Sequence, residues 1–331
     1  MSTSPFVLPP YPYDRLGEID RIASKHEGGA VDLSIGTPCD PPPFQVVEAL
    51  AASGAERGYP ASVGTSELRQ AAAGWMSRRL GVHMDPSHIA ACVGTKEFVA
   101  SLPLYLRLRR PERDTILHPQ IAYPTYAMGA ELSGCRAVGV PERPGGGLDL
   151  DSIDEEDAER ALALWLNTPS NPSGLLTDLE EVADWGRRRG IPVISDECYI
   201  EFTWERGPET ILSGGAEGVL ALHSLSKRSN LAGCRVGFYA GDPELVHFLS
   251  EVRKHAGLMP PGPEQHAGAV ALGDDAHVDA QRAVYLRRLE QMSAVLESAG
   301  LEAPLPAGAF YLWIPVPDWA LEMASHEAGS T

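Results

Sequence analysis

The 331-residue sequence has no uninterrupted apolar run near the roughly 18 to 20 residues that cross a bilayer, so no membrane helix is expected. Its first thirteen residues carry no basic segment, and prolines stand where a signal peptide would have its apolar core. That argues against secretion and for the cytoplasm. Positive charge is scarce: 27 Lys and Arg against 45 Asp and Glu leave a formal charge of -18. Such a surface repels a phosphate backbone, so nucleic acid is not an expected partner, while a small anion needs only a local gathering of cations.

Cysteine is sparse too. Cys39, Cys92, Cys135, Cys198 and Cys234 form no Cys-x-x-Cys pair and no zinc spacing. No metal site is expected, and the thiols read as small buried hydrophobes in a reducing compartment. Gly-x-Gly-x-x-Gly, Gly-x-x-x-x-Gly-Lys, His-Glu-x-x-His and Gly-x-Ser-x-Gly are all absent, which removes dinucleotide, P-loop, zincin and α/β-hydrolase readings.

What is present is a series of short apolar runs separated by helical patterns. Strands are expected over 89–93, 115–118, 137–140, 161–166, 191–195, 219–222 and 235–240, with further strand-like runs at 31–35 and 310–314. Helices are expected over 14–26, 44–56, from about 65 onward, 178–189 (with Thr177 and Glu180 as a capping box), 243–255 and 276–298. Strands this apolar, alternating with helices, imply an α/β fold whose sheet is covered on both faces. Pro260-Pro261-Gly262-Pro263 marks a break of the kind that separates lobes.

In such a sheet the ligand lies beyond the carboxyl ends of the strands. Those ends deliver Gly94-Thr95-Lys96-Glu97, Tyr123-Pro124-Thr125-Tyr126, Asn167 to Asn171, Asp196-Glu197-Cys198-Tyr199 and His223-Ser224-Leu225-Ser226-Lys227, with Arg235 eight residues further. Ser-x-x-Lys also opens a serine acyl-enzyme set, but the Ser-Asp-Asn and Lys-Thr-Gly that must follow it are absent. The other chemistry open to Lys227 is a Schiff base with a carbonyl cofactor.

Together with Leu33 to Pro38, Tyr59 to Thr65 and Arg253-Lys254-His255-Ala256-Gly257, these peptides resemble the fold-type I aminotransferases that use pyridoxal 5'-phosphate. Within them the resemblance is to the actinobacterial N-succinyldiaminopimelate aminotransferases of lysine biosynthesis. It implies a large domain over 36–258 with a mostly parallel seven-stranded sheet, an N-terminal arm over 1–35, and an incomplete small domain over 259–331. It implies that Lys227 bonds the cofactor and moves the proton, that Asp196 pairs with the pyridine nitrogen, and that Tyr199 and Asn171 hold the 3' oxygen. Tyr123 stacks on the ring; Ser224, Ser226, Arg235 and the backbone of Thr95 and Lys96 hold the phosphate; Tyr59 reaches across from the second subunit of a homodimer. Gly36 lies beside the substrate carboxylate, and Arg253 and Lys254 are candidates for the further carboxylates of a succinylated substrate.

The resemblance also implies a closing helix and an arginine that clamps the α-carboxylate. Residues 318–329 look like the start of that helix, and no Lys or Arg follows Arg288. The expectation is a chain that binds the cofactor and transaminates weakly. Its substrates are an amino donor, glutamate, and a keto acid; a carbon-sulfur β-lyase and a shortened, non-catalytic cofactor-binding protein remain open.

Overall fold

Seven of the apolar runs pair into one sheet in a computed structural model that describes residues 6, 7, 9 and 11–317. The strands are β1 (Ile89–Cys92), β2 (Thr115–Pro119), β3 (Arg136–Val140), β4 (Ala161–Asn167), β5 (Val193–Asp196), β6 (Val219–Ser224) and β7 (Gly237–Gly241), in the order β1-β7-β6-β5-β4-β2-β3. All neighbours run parallel except β7, which is antiparallel to both β1 and β6. The central strands β4, β5 and β6 are buried at every position, as a sheet with helices on both faces requires.

The helices are α1 (Leu16–Ala23), α2 (Phe44–Ala51), α3 (Ser66–Trp75), α4 (Thr95–Arg109), α5 (Thr125–Leu132), α6 (Glu155–Arg160), α7 (Leu179–Arg189), α8 (Leu225–Arg228), α9 (Pro243–His255), α10 (Gly262–Gly273) and α11 (Ala276–Ser298). Helix α7 is capped by Asp178, not Thr177. The Asp178 carboxylate reaches two free N-H groups, of Glu180 and Glu181, where a hydroxyl would serve one. The proline run at 260–263 opens α10, since proline suits a first helical turn. Gly268 lets α10 pack closely here, since a Cβ at that position would come within 3.0 Å of Leu225 and 3.3 Å of Leu68.

The chain divides into two compact units, Met1–Thr37 and Pro38–Thr331, and the sheet belongs to the second. In the first, α1 is shorter than the expected helix and buries no residue. The run 31–35 is not a strand, and Val31, Leu33 and Ile35 are exposed: apolar alternation makes a strand only where another strand supplies backbone partners. In the second unit, 310–314 also forms no strand. The helix expected from residue 318 lies outside the described residues. No described helix is long and apolar enough to cross a membrane.

Candidate functional site

Strand register gathers the candidate residues. Asn167 pairs with Asp196, Asp196 with Leu222, Ser224 with Gly237, and Gly237 with Cys92. The carboxyl ends of β4, β5, β6 and β1 and the start of β7 therefore share one edge, and every loop leaving it carries a candidate.

Asp196 is the fixed point. Its buried carboxylate accepts from the Tyr126 hydroxyl at 2.8 Å and from the Cys198 N-H at 3.2 Å, while the Asn167 amide holds its carbonyl at 2.8 Å. Burial pushes its pKa above the usual carboxylate range, and the two side-on hydrogen bonds pull it partly back. Tyr123 lies edge-on to Tyr126, ring centroids 6.0 Å apart.

Around it stand the amine and the phenol. Burial, then the Arg235 charge, lowers the Lys227 pKa, so more of the amine is neutral than on an exposed lysine. The Lys227 ammonium lies 5.8 Å from the Phe310 ring, and the Tyr199 ring packs edge-on against the same ring at 5.3 Å. Asn171, positioned by Asn167 through its N-H at 2.7 Å, donates to the Tyr199 hydroxyl at 3.4 Å.

The cationic end forms where β7 begins. Arg235 has a left-handed backbone, φ 54°, uncommon for a residue with a side chain. That turn aims its guanidinium at the start of α4, so close to Gly94 that a Cβ there would overlap the guanidinium nitrogens. Thr95 opens α4, with its hydroxyl 3.5 Å from Cys198, and Lys96 is exposed in the same turn. Ser224 caps α8 by accepting from the Ser226 N-H at 3.1 Å. An arginine beside the positive end of a helix is suited to an anion such as a phosphate.

One expected residue is placed differently. Arg253 is 1% exposed, and both of its terminal nitrogens bond Glu97, at 2.8 and 2.6 Å, under the rings of Phe98 and Tyr239. Its fork is spent inside the protein, which corrects the expectation that it faces a substrate carboxylate; Lys254 beside it is exposed and pairs with Glu251. Gly36 belongs to the first unit. Tyr59 is 100% exposed on its turn. Sequence reasoning missed Tyr126 as the partner of Asp196, Gly94 as the seat of Arg235, and the Phe310-Tyr311 pair. The first two sit in peptides already singled out, whereas nothing near residue 310 signalled a role.

Comparison with known proteins identifies the family. The family model described as "Aminotransferase class I and II" matches residues 29–325. A curated relative, the 4-dedimethylamino-4-oxo-anhydrotetracycline transaminase of Streptomyces rimosus, is 43% identical over 92% of this chain and 84% of its own length. The LL-diaminopimelate aminotransferase of Aquifex aeolicus is 36% identical over 94% of this chain and 83% of its own. Among solved structures, a probable N-succinyldiaminopimelate aminotransferase from Thermus thermophilus superposes with a TM-score of 0.83 at 31% identity, covering 92% of this chain and 85% of the other. The chain belongs to the class I and II aminotransferases, enzymes dependent on pyridoxal 5'-phosphate.

Proposed function

We propose that the chain transfers an amino group from glutamate to N-succinyl-2-amino-6-ketopimelate, working as a homodimer with the cofactor at the carboxyl edge of the sheet. The observation that carries this is the convergence of Lys227, Asp196 and the Arg235-Gly94 contact on one edge. The residues suit the cofactor. A buried carboxyl raised above its usual range gains from a cationic ring nitrogen, a depressed amine is a better nucleophile, and Gly94 leaves space for Arg235 that a side chain would take.

When bound, pyridoxal 5'-phosphate supplies an aldehyde that accepts the amino group and a ring that withdraws electrons from the substrate α-carbon. Asp196 would keep a proton on the ring nitrogen, and Lys227, its amine held partly neutral by burial, would be the group that takes and returns the substrate α-proton. Tyr199 and Asn171 donate to the 3' oxygen, and Tyr123 covers the ring. Arg235, Ser224, Ser226 and the first N-H groups of α4, at Thr95 and Lys96, hold the phosphate; Tyr59, exposed on its turn, reaches the phosphate of the second subunit.

The succinylated acceptor is supported by the name of the Thermus protein, and a diaminopimelate-type substrate more broadly by that of the Aquifex protein. The test is to incubate the purified chain with cofactor, glutamate and candidate keto acids while following the visible absorbance of the bound cofactor. Glutamate should change that absorbance, and the succinylated keto acid should restore it. Restoration only by 4-dedimethylamino-4-oxo-anhydrotetracycline would overturn the acceptor. Ammonia and pyruvate released from a cysteine conjugate without any keto acid would overturn amino transfer itself.

A further inference from the structure

Tyr199 has a partner that the proposed function does not use. The Tyr311 hydroxyl lies 2.8 Å from the Tyr199 hydroxyl, with the rings edge-on at 5.6 Å. Tyr311 follows a segment tied down over several residues. Trp204 N-H donates to the Ala307 carbonyl and its indole N-H to the Ala309 carbonyl, both at 2.8 Å, while Gly308 N-H donates to Gly174 at 2.9 Å and Ala309 N-H to Phe202 at 2.8 Å. Phe310, next in line, packs on Tyr199, Phe202 and Tyr285. The 2.8 Å contact thus comes from an anchored strap.

A phenol has one proton to donate and two lone pairs to accept with. Asn171 donates to the Tyr199 oxygen at 3.4 Å. If Tyr311 donates as well, both lone pairs are filled and the Tyr199 proton must point elsewhere. Burial holds Tyr199 well above the usual phenol range, so the proton stays on it.

We infer that Tyr311 is a positioning residue of the cofactor site: its hydroxyl donates to Tyr199 and thereby turns the Tyr199 proton toward the cofactor's 3' oxygen. The inference rests on the proposed function, which puts that oxygen beside Tyr199. A hydrogen bond donated to an ionised oxygen favours the ionised form, and a donor polarised by a second hydrogen bond gives a stronger one. Tyr311 therefore helps set the pH at which the bound cofactor ionises.

The test is a pH titration of the visible absorbance of the bound cofactor in four chains: wild type, Tyr311→Phe, Tyr199→Phe and the double variant. Tyr311→Phe keeps the ring and its packing, so its thermal midpoint should match the wild type. Its titration midpoint should rise by about one pH unit, a tenfold change in the ionisation constant. In the Tyr199→Phe background the same substitution should shift nothing, because the effect passes through Tyr199. Equal shifts in both backgrounds, or none in either, overturn the inference and leave the proposed function standing. A wild-type chain that shows no bound-cofactor absorbance overturns the proposed function, and the inference falls with it.

Discussion

Arg253 at the end of α9 donates to both carboxylate oxygens of Glu97 in the first turn of α4, at 2.8 and 2.6 Å. Glu97 also accepts from the Val93 N-H at 3.3 Å, so the pair ties α9 to the turn that carries Gly94 and Thr95. Removing one member leaves the other charge without its partner in a largely desolvated place. Arg253→Ala should cost roughly 3 to 5 kcal/mol of unfolding free energy, read as a fall in the denaturant midpoint. Arg253→Lys should recover only part, because an ammonium cannot bond both oxygens as a fork does. If the Ala variant unfolds at the wild-type midpoint, the pair does not hold α4 in place.

A second ion pair links the two loops that carry the candidate chemistry. Glu201, two residues after Tyr199, accepts from Arg228 at 3.3 Å, the residue after Lys227; Trp75 and Arg79 complete its shell at 2.7 and 3.0 Å. Glu201 and Arg228 are both buried. Glu201→Ala leaves the buried Arg228 only Asp275, 3.9 Å away, as a charge partner and should cost on the order of 3 kcal/mol, with Glu201→Gln costing less because an amide oxygen still accepts. The comparison is made by urea unfolding of the three chains. Equal stability of the Ala and Gln variants would mean that acceptance at Glu201 contributes nothing.

Gly94→Ala tests the phosphate end. The backbone there has φ +70°, and the new Cβ would overlap the Arg235 guanidinium, so the side chain has to leave its place at α4. Losing a charge-assisted contact to phosphate costs on the order of 2 to 5 kcal/mol. The Kd for pyridoxal 5'-phosphate, measured by absorbance, should therefore rise at least about 30-fold. Gly233→Ala, where a Cβ meets nothing within 4 Å, is the control and should leave the Kd within about twofold.

The sheet was legible because all its strands but the edge strand β3 are largely buried and read as short apolar runs; every strand end fell within two residues of its expected place. Strand order and the reversal of β7 were not, since they depend on which edge each strand joins. The same limit explains the residues missed. Tyr199 and Tyr311 are 112 residues apart, and Asp196 and Tyr126 are 70 apart, so no local pattern records either contact. Arg253 failed as a substrate ligand for a related reason: its cationic character is visible in the sequence, but the carboxylate that consumes it sits on another helix.

Glu197, next to Asp196, shows what burial alone can do. Its carboxyl is buried in the core, with the Ile211 N-H donating at 2.8 Å and the His223 ring 3.6 Å away. Burial pushes the Glu197 pKa from 4.5 up to about 7, while burial and the Arg228 charge push His223 down to about 3. The two therefore meet as neutral groups over most of the acid range, not as an ion pair. Their effects on stability have opposite signs. The folded protein holds the Glu197 proton more tightly than the unfolded chain, so that contribution is full below about pH 4.5 and is lost as pH rises to about 7. For His223 the unfolded chain binds the proton more tightly, so stability rises with pH between about 3 and 6.5. Where the windows overlap they nearly cancel, and wild-type stability alone reveals little. The difference between wild type and Glu197→Gln isolates the carboxyl, since the amide never ionises. From pH 4.5 to pH 8 the Gln variant should gain about 3 kcal/mol relative to wild type. Urea midpoints at the two pH values decide it, and a constant difference would mean that Glu197 is already ionised in the core at acid pH.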